Sequence, residues 1–129
     1  MLREIIMDED KVLIIMSTGP ENASKCATPF FLATVAASME KEVQMIFNIN
    51  GGLLMKKGVA ENLTVKEGGK PVSEFIEQAK SVDVQMFVCS PSLDLHDMSK
   101  EDLRDDCDGV VGGAYLLQEA AESGVVLNF

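Results

Sequence analysis

Four short runs of this chain are apolar without the alternation that marks a half-exposed strand. They are Lys11-Val12-Leu13-Ile14-Ile15-Met16, Glu42-Val43-Gln44-Met45-Ile46-Phe47, Val84-Gln85-Met86-Phe87-Val88-Cys89 and Val125-Val126-Leu127-Asn128-Phe129. Runs of this length, rich in Val, Ile and Phe, read as strands, and continuous apolarity means burial on both faces. Between them lie segments of helical period. A sheet whose strands are separated by helices is parallel, with helices on both faces. This is an α/β pattern, and a chain of 129 residues suits one domain, 1–129.

The intervening segments fill in the order of elements. From Asn22 to about Met39, residues Cys26, Ala27, Phe30, Phe31, Thr34, Val35 and Ser38 recur at helical spacing. Pro29 either opens this helix, with Thr28 as its cap, or kinks one begun earlier. Because the period includes Cys26, the expected start is near Asn22 or Ser24, with a distortion at Pro29. Asn48 to Gly52 reads as a turn, Leu53 to Lys57 as a short helix ended by Gly58, and Glu67 to Pro71 as a loop. Ser73 to Ser81 forms an amphipathic helix carrying Phe75, Ile76 and Ala79 on one face. Ser99 and the acids after it announce a short capped helix. Gly109 to Gly112 is a brief fourth strand, Gly113 to Ser123 a helix, and Gly124 its stop.

Composition narrows the partners. Twenty-one acidic residues against eleven basic give a formal charge of −10, which repels phosphate backbones and anionic lipid. Neither nucleic acid nor membrane is expected as a partner, and no apolar run is long enough to span a bilayer. Residues 1–10 read as a leader, too short and too acidic for a signal peptide, whose Leu2, Ile5, Ile6 and Met7 suit a subunit contact. The expected location is cytoplasmic. Met39, Met45, Met55 and Met98 are adaptable contact or core residues.

Three widely spaced cysteines form neither a disulfide framework nor a zinc pattern. Cys89 closes the third run immediately before Ser90-Pro91-Ser92. A residue preceding proline is biased away from helix, so the strand stops there, at the carboxyl end where open α/β sheets bind ligands. A helical turn after Pro91 would favour a thiolate. The opposing reading is a small buried apolar residue. Cys26 falls on an inner helical face and reads as core. Cys107 lies among Asp105, Asp106 and Asp108, whose charges make it a poor nucleophile. His96, the single histidine, reads as a loop residue near the cleft, with general base as the alternative. One His and one Cys do not complete a zinc site, so no metal and no organic cofactor are expected. Ser17-Thr18-Gly19-Pro20 follows the first strand without either phosphate-loop fingerprint, and reads as a tight turn lining a cleft. The Pro-x-x-x-Thr-x-x-Cys arrangement of a thiol peroxidase is absent around Cys89.

Taken as an ordered set, several short motifs resemble the DsrE/DsrF-like family. They are Ser17-Thr18-Gly19-Pro20 after the first strand, Pro29-Phe30, Lys56-Lys57-Gly58, Val88-Cys89-Ser90-Pro91, Gly109 to Ala114, and the closing strand ending in Phe129. The resemblance covers nearly the whole chain. It implies a flavodoxin-like three-layer sandwich around a five-stranded, mostly parallel sheet, assembled as a homotrimer or homohexamer. It also implies sulfur relay, in which a cysteine after the third strand takes a sulfane sulfur from a rhodanese or small sulfurtransferase. On this chain that residue is Cys89. Some relatives carry a second cysteine three places later, where this chain has Ser92. The expected cleft around Cys89 takes in Thr18, Gly19, Ser90, Ser92 and His96. The alternative is a non-catalytic module that binds a small molecule or partner, with Cys89 structural.

Overall fold

The computed structural model describes residues 7–129. Five strands form one sheet: β1 (Asp8–Met16), β2 (Glu42–Phe47), β3 (Gln85–Cys89), β4 (Gly109–Val111) and β5 (Ser123–Asn128). Their order is β4-β3-β2-β1-β5, and every ladder is parallel rather than mostly so. The helices are α1 (Thr28–Ser38), α2 (Val72–Ser81), α3 (Ser90–Leu95) and α4 (Gly113–Glu122).

Strand order dictates where the helices go. The steps β1 to β2, β2 to β3 and β3 to β4 all move one way across the sheet. Right-handed crossovers therefore place α1 and α2 together on one face. The step from β4 back to β5 runs the other way, past three strands, so α4 lies on the opposite face alone. The packing follows. On the first face Val12, Ile14, Met16, Val43, Met45, Phe47, Met86 and Val88 meet Phe30, Ala33, Ile76 and Ala79. Phe30 and Phe47 stack with ring centroids 5.9 Å apart. On the second face Leu13, Ile46 and Cys89 are covered by Tyr115, Leu116 and Ala120 of α4. Tyr115 also donates a hydrogen bond to Gln44 Oε1 at 2.9 Å, which satisfies a polar side chain buried in the sheet. Lys11 pairs with Glu119 of α4 at 2.7 Å, both mostly buried.

Several sequence expectations change. The first helix begins at Thr28, with Pro29 in its first turn and Ala27 rather than Thr28 at the cap position. Residues Pro20–Lys25 form a separate 3₁₀ turn, broken at Asn22 by φ −140° and ψ 72°. Cys26 is buried all the same, because its thiol turns inward toward the carbonyls of Gly19 (3.4 Å) and Asn22 (3.5 Å). The expected turn and helix between Asn48 and Lys57 are one 3₁₀ segment, Ile49–Met55. Asp8–Asp10 belong to β1 and not to a leader; the expectation for residues 1–6 lies outside the described residues. Met45, Met55 and Met98 are core, whereas Met39 is exposed. The helix at Gly113 ends at Glu122, and Gly124 lies inside β5. Its role is close approach: a Cβ there would stand 2.7 Å from Glu9 Cα on the neighbouring strand.

Gly124→Ala is therefore expected to lower stability by about 1–3 kcal/mol through overpacking. Gly113→Ala, where a Cβ meets nothing within 4 Å, is expected to leave stability unchanged or raise it by up to about 1 kcal/mol. Urea unfolding of both variants checks the contrast.

Candidate functional site

The carboxyl ends of β1, β2 and β3 form a crest at one end of the sheet. β3 ends at Cys89 because Ser90 and Pro91 open a helix there, and Cys89 takes the cap position of α3 with φ −74° and ψ 133°. Pro91 suits this first turn, where its missing N–H costs no hydrogen bond. Cys89 lies at the floor of a cavity of about 210 Å³, lined also by Asn48, Ile49, Pro91, Ser92 and Leu95. Cys89 is 7% exposed. Burial pushes its pKa up, and the backbone N–H of Ser90 offsets this only in part. The helical turn after Pro91 is thus present, but at rest desolvation outweighs it and favours the thiol.

One backbone carbonyl organises the wall of this cavity. Ile49 has φ +50°, a left-handed conformation that a β-branched residue rarely adopts. Its carbonyl accepts a hydrogen bond from Ser92 Oγ at 2.6 Å and another from His96 Nε2 at 3.0 Å. Because a carbonyl only accepts, His96 carries its proton on Nε2 in this arrangement. The Ser92 hydroxyl is buried against Gly52, where a Cβ would collide with Ser92 Oγ. Ser92 and His96 therefore position Ile49, and Ile49 lines the mouth over Cys89. Ser17 Oγ donates to Asn48 Oδ1 at 2.5 Å, tying the end of β1 to the same segment.

The residues grouped around Cys89 by the sequence are distributed along this crest. Ser92 lines the Cys89 cavity. His96 reaches the cavity wall through the Ile49 carbonyl. Ser90 is exposed and outside the lining residues, while its N–H serves the sulfur. Gly19 is buried against Asn50, too tightly for any Cβ. Thr18 lines a separate hollow with Phe129. Sequence reasoning did not assign Asn48, Pro91, Ile49 or Leu95 to the cleft; the signal available was the pair of large apolar residues, Ile49 and Leu95, each in a turn or a short helix. They are 54% and 58% exposed, so the mouth has an apolar rim open to a partner.

The other cysteines are chemically quieter. Burial, reinforced by the charge of Glu21, pushes Cys26 from 9.0 up to about 11. Burial also raises Cys107, whose thiol faces the carbonyls of Gly109 (3.5 Å) and Met86 (3.8 Å). Among the described residues no group of three or more His, Cys, Asp and Glu is placed to hold a metal. No helix among them is long and apolar enough to cross a membrane.

Comparison with known proteins adds a family and a fold. The model of the DsrE/DsrF-like family matches residues 10–129. An uncharacterized protein of Methanocaldococcus jannaschii, MJ0760, is 27% identical over 97 residues, which is 74% of this chain and 34% of that protein. The chain thus spans about a third of the length of that relative. The crystal structure of the ychN protein from E. coli superposes with a TM-score of 0.76 at 16% identity, covering 92% of this chain and 98% of that one. A protein of unknown function from Methanobacterium thermoautotrophicum, MTH1491, gives 0.65 at 15% identity, covering 95% and 100%. At such identities the two structures establish the fold.

Two outcomes follow from the thiols. Alkylation of Cys89 by iodoacetamide, followed by peptide mass spectrometry, is expected to be slower at pH 7.5 than for a free thiol and to keep rising above pH 9. Ile49→Gly, which removes both the strain and the overhanging side chain, is expected to accelerate it. For Cys26 the folded pKa exceeds the unfolded one. Its contribution to stability is complete below pH 9.0 and declines as pH rises toward about 11. Chemical unfolding at pH 8 and pH 11 is expected to show a loss on the order of 2 kcal/mol from this group, smaller in Cys26→Ala.

Proposed function

The chain belongs to the DsrE/DsrF-like family, generally connected with sulfur relay, and from that premise we propose that Cys89 carries sulfane sulfur as a persulfide. The observation supporting this reading is the single cysteine at the end of β3, set at the head of α3 and at the floor of a small cavity. A cavity of about 210 Å³ is below the range of roughly 300–1,000 Å³ used for drug-sized ligands. It has room for a sulfane sulfur on Cys89 together with the end of an incoming donor side chain.

The transfer needs no external oxidant. The Cys89 thiolate attacks the outer sulfur of a donor persulfide, R–S–SH. The donor S–S bond breaks, a new S–S bond forms on Cys89, and R–S⁻ leaves; the transferred sulfur keeps its oxidation state. The resting thiol is protonated and covered, so the donor must open the mouth at Ile49 and Leu95. Their apolar rim suits docking by a donor protein of the rhodanese or small sulfurtransferase kind. Ser90 N–H then steadies the thiolate once it forms. The Ser92 hydroxyl is committed to the Ile49 carbonyl, so the relay uses one cysteine and passes its sulfur to a partner. The acidic surface suits a basic docking face on that partner. A cytoplasmic setting fits three free thiols.

We also propose a closed homo-oligomer of threefold type, a trimer or hexamer. α1 has no single apolar stripe, and Phe31, Val35 and, just past its end, Met39 are exposed at four-residue spacing. Leu117, Val125 and Val126 are exposed on the sparsely covered face and edge. Light scattering after size exclusion is expected to give about three or six times the 14.0 kDa chain mass; a mass of one chain would overturn it.

Intact mass after incubation with a sulfane donor and a rhodanese tests the persulfide. Addition of whole sulfur atoms is expected in the native chain, in Cys26→Ser and in Cys107→Ser, and absent in Cys89→Ser. Loading that survives Cys89→Ser would refute the assignment. The raised pKa and low exposure of Cys89 favour one competing reading, a binding module with a structural thiol. Under that reading no variant loads sulfur and Cys89 resists alkylation even at pH 10.

A further inference from the structure

The Cys89 cavity carries no charge of its own. Asn48, Ile49, Pro91, Ser92 and Leu95 are uncharged. The two segments that build it, 42–55 and 84–99, contain no Lys or Arg at all. Asp94 precedes Leu95 in the chain and Asp97 follows His96, and both are exposed. Whatever charge reaches the rim from α3 and the turn after it is therefore negative at Asp94 and Asp97.

Its hydrogen-bonding capacity is nearly spent as well. Ser92 Oγ donates to the Ile49 carbonyl at 2.6 Å, and His96 Nε2 donates to the same oxygen at 3.0 Å. Asn48 Oδ1 accepts from Ser17 Oγ at 2.5 Å. Two neutral donors remain for an incoming group: the Ser90 N–H beside the sulfur and the Asn48 amide nitrogen, which has no partner among the described residues. Two neutral N–H groups can serve one developing anion. They cannot replace the cation that a second negative charge would need on leaving water.

Sulfane transfer turns this into a choice of donor. With an uncharged donor, R–S–SH, the Cys89 thiolate attacks the outer sulfur, Cys89–S–SH forms and R–S⁻ departs. One negative charge is present throughout and only moves from one sulfur to another. A donor with an anionic body brings a second like charge beside the thiolate, and thiosulfate brings two. Ile49 and Leu95, 54% and 58% exposed at the mouth, offer such a body nothing but hydrocarbon. We propose, on the persulfide reading of Cys89, that this cavity takes sulfur from donors whose reacting end is uncharged and apolar, and rejects anionic donors such as thiosulfate or a carboxylate-bearing hydropersulfide.

Two measurements on the full chain test this. The first reads charge selection without sulfur loading. Propyl and 2-sulfonatoethyl methanethiosulfonate are similar in size, and each reacts by thiolate attack on an electron-poor sulfur. Their rates at Cys89, followed by peptide mass spectrometry and divided by their rates with N-acetylcysteine methylamide, are expected to favour the propyl reagent by about tenfold or more. Leu95→Lys, at an exposed position, is expected to narrow that ratio by about threefold or more. Equal normalised rates in the native chain overturn the proposal. So does a ratio that Leu95→Lys leaves unmoved, because size and not charge would then be selecting. The second measurement is sulfur loading from butyl and 2-carboxyethyl hydropersulfide, normalised in the same way and read as intact mass. Faster loading from the butyl donor is expected. Equal loading from both refutes the charge selection and leaves the carrier reading standing. No loading from either, with the reagent selectivity intact, refutes the carrier reading and the choice of donor with it.

Discussion

The parallel ladder of β1, β2 and β3 is the constraint on which the other parts depend. Met16 stands beside Phe47, and Phe47 beside Val88. That register brings three strands to an end at nearly the same height. The loops that follow them therefore form one crest, where Ser17 reaches Asn48 and Ser92 reaches Ile49. Slipping β3 by one residue would turn Cys89 from the α4 face toward the α1 face. It would also carry Ser92 away from the Ile49 carbonyl. The position of the thiol is thus a consequence of strand register, enforced by the burial of Met45, Met86 and Val88.

The same ladder explains why the two faces differ. Three onward crossovers stack their helices and turns on one side, which holds the larger core. The single return crossover leaves α4 to cover the other side unaided, with no fully buried residue of its own. Cys89 sits on this thinner side, beneath Tyr115 and Leu116. Its environment is dry enough to raise the thiol pKa, yet only a small cavity and one strained residue separate it from solvent. Strain at a residue held by two hydrogen bonds is a common mark of a functional mouth. The crest holds Cys89 at one end and a polar hollow at the other, with the 3₁₀ segment from Ile49 between them.

How much of this was legible follows the physics of each element. The central runs of the strands were legible because a continuous apolar run has few alternatives in a chain that alternates with helices, whereas the polar starts of β1 and β5 were not. α2 was legible from its one-sided pattern. The start of α1 was not: Cys26 fits the helical period, but its burial arises from a 3₁₀ turn that folds its thiol onto the Gly19 and Asn22 carbonyls. Gly124 looked like a helix stop, and only the proximity of Glu9 shows why a glycine stands there. Thr18 and Cys89 were both placed correctly at strand ends. What linear order does not reveal is that β2 lies between them, separating the two strand ends by about two spacings, or roughly 9–10 Å.

By itself the sequence determined the α/β class, the parallel sheet, and the placement of a cysteine at a strand's carboxyl end before a helix. These depend on apolar runs, on Pro91 and on nearest-neighbour preferences, all of which are local. The tertiary structure decided the protonation bias of Cys89, the strained conformation of Ile49, the task of Ser92 and His96, and the division of the crest into two cavities. Each depends on groups distant along the chain: Ser92 meets the carbonyl of a residue 43 positions earlier, and Tyr115 meets Gln44 across 71. Desolvation, strain and cavity shape are properties of the space between elements, and that space exists only once strand order and register are set.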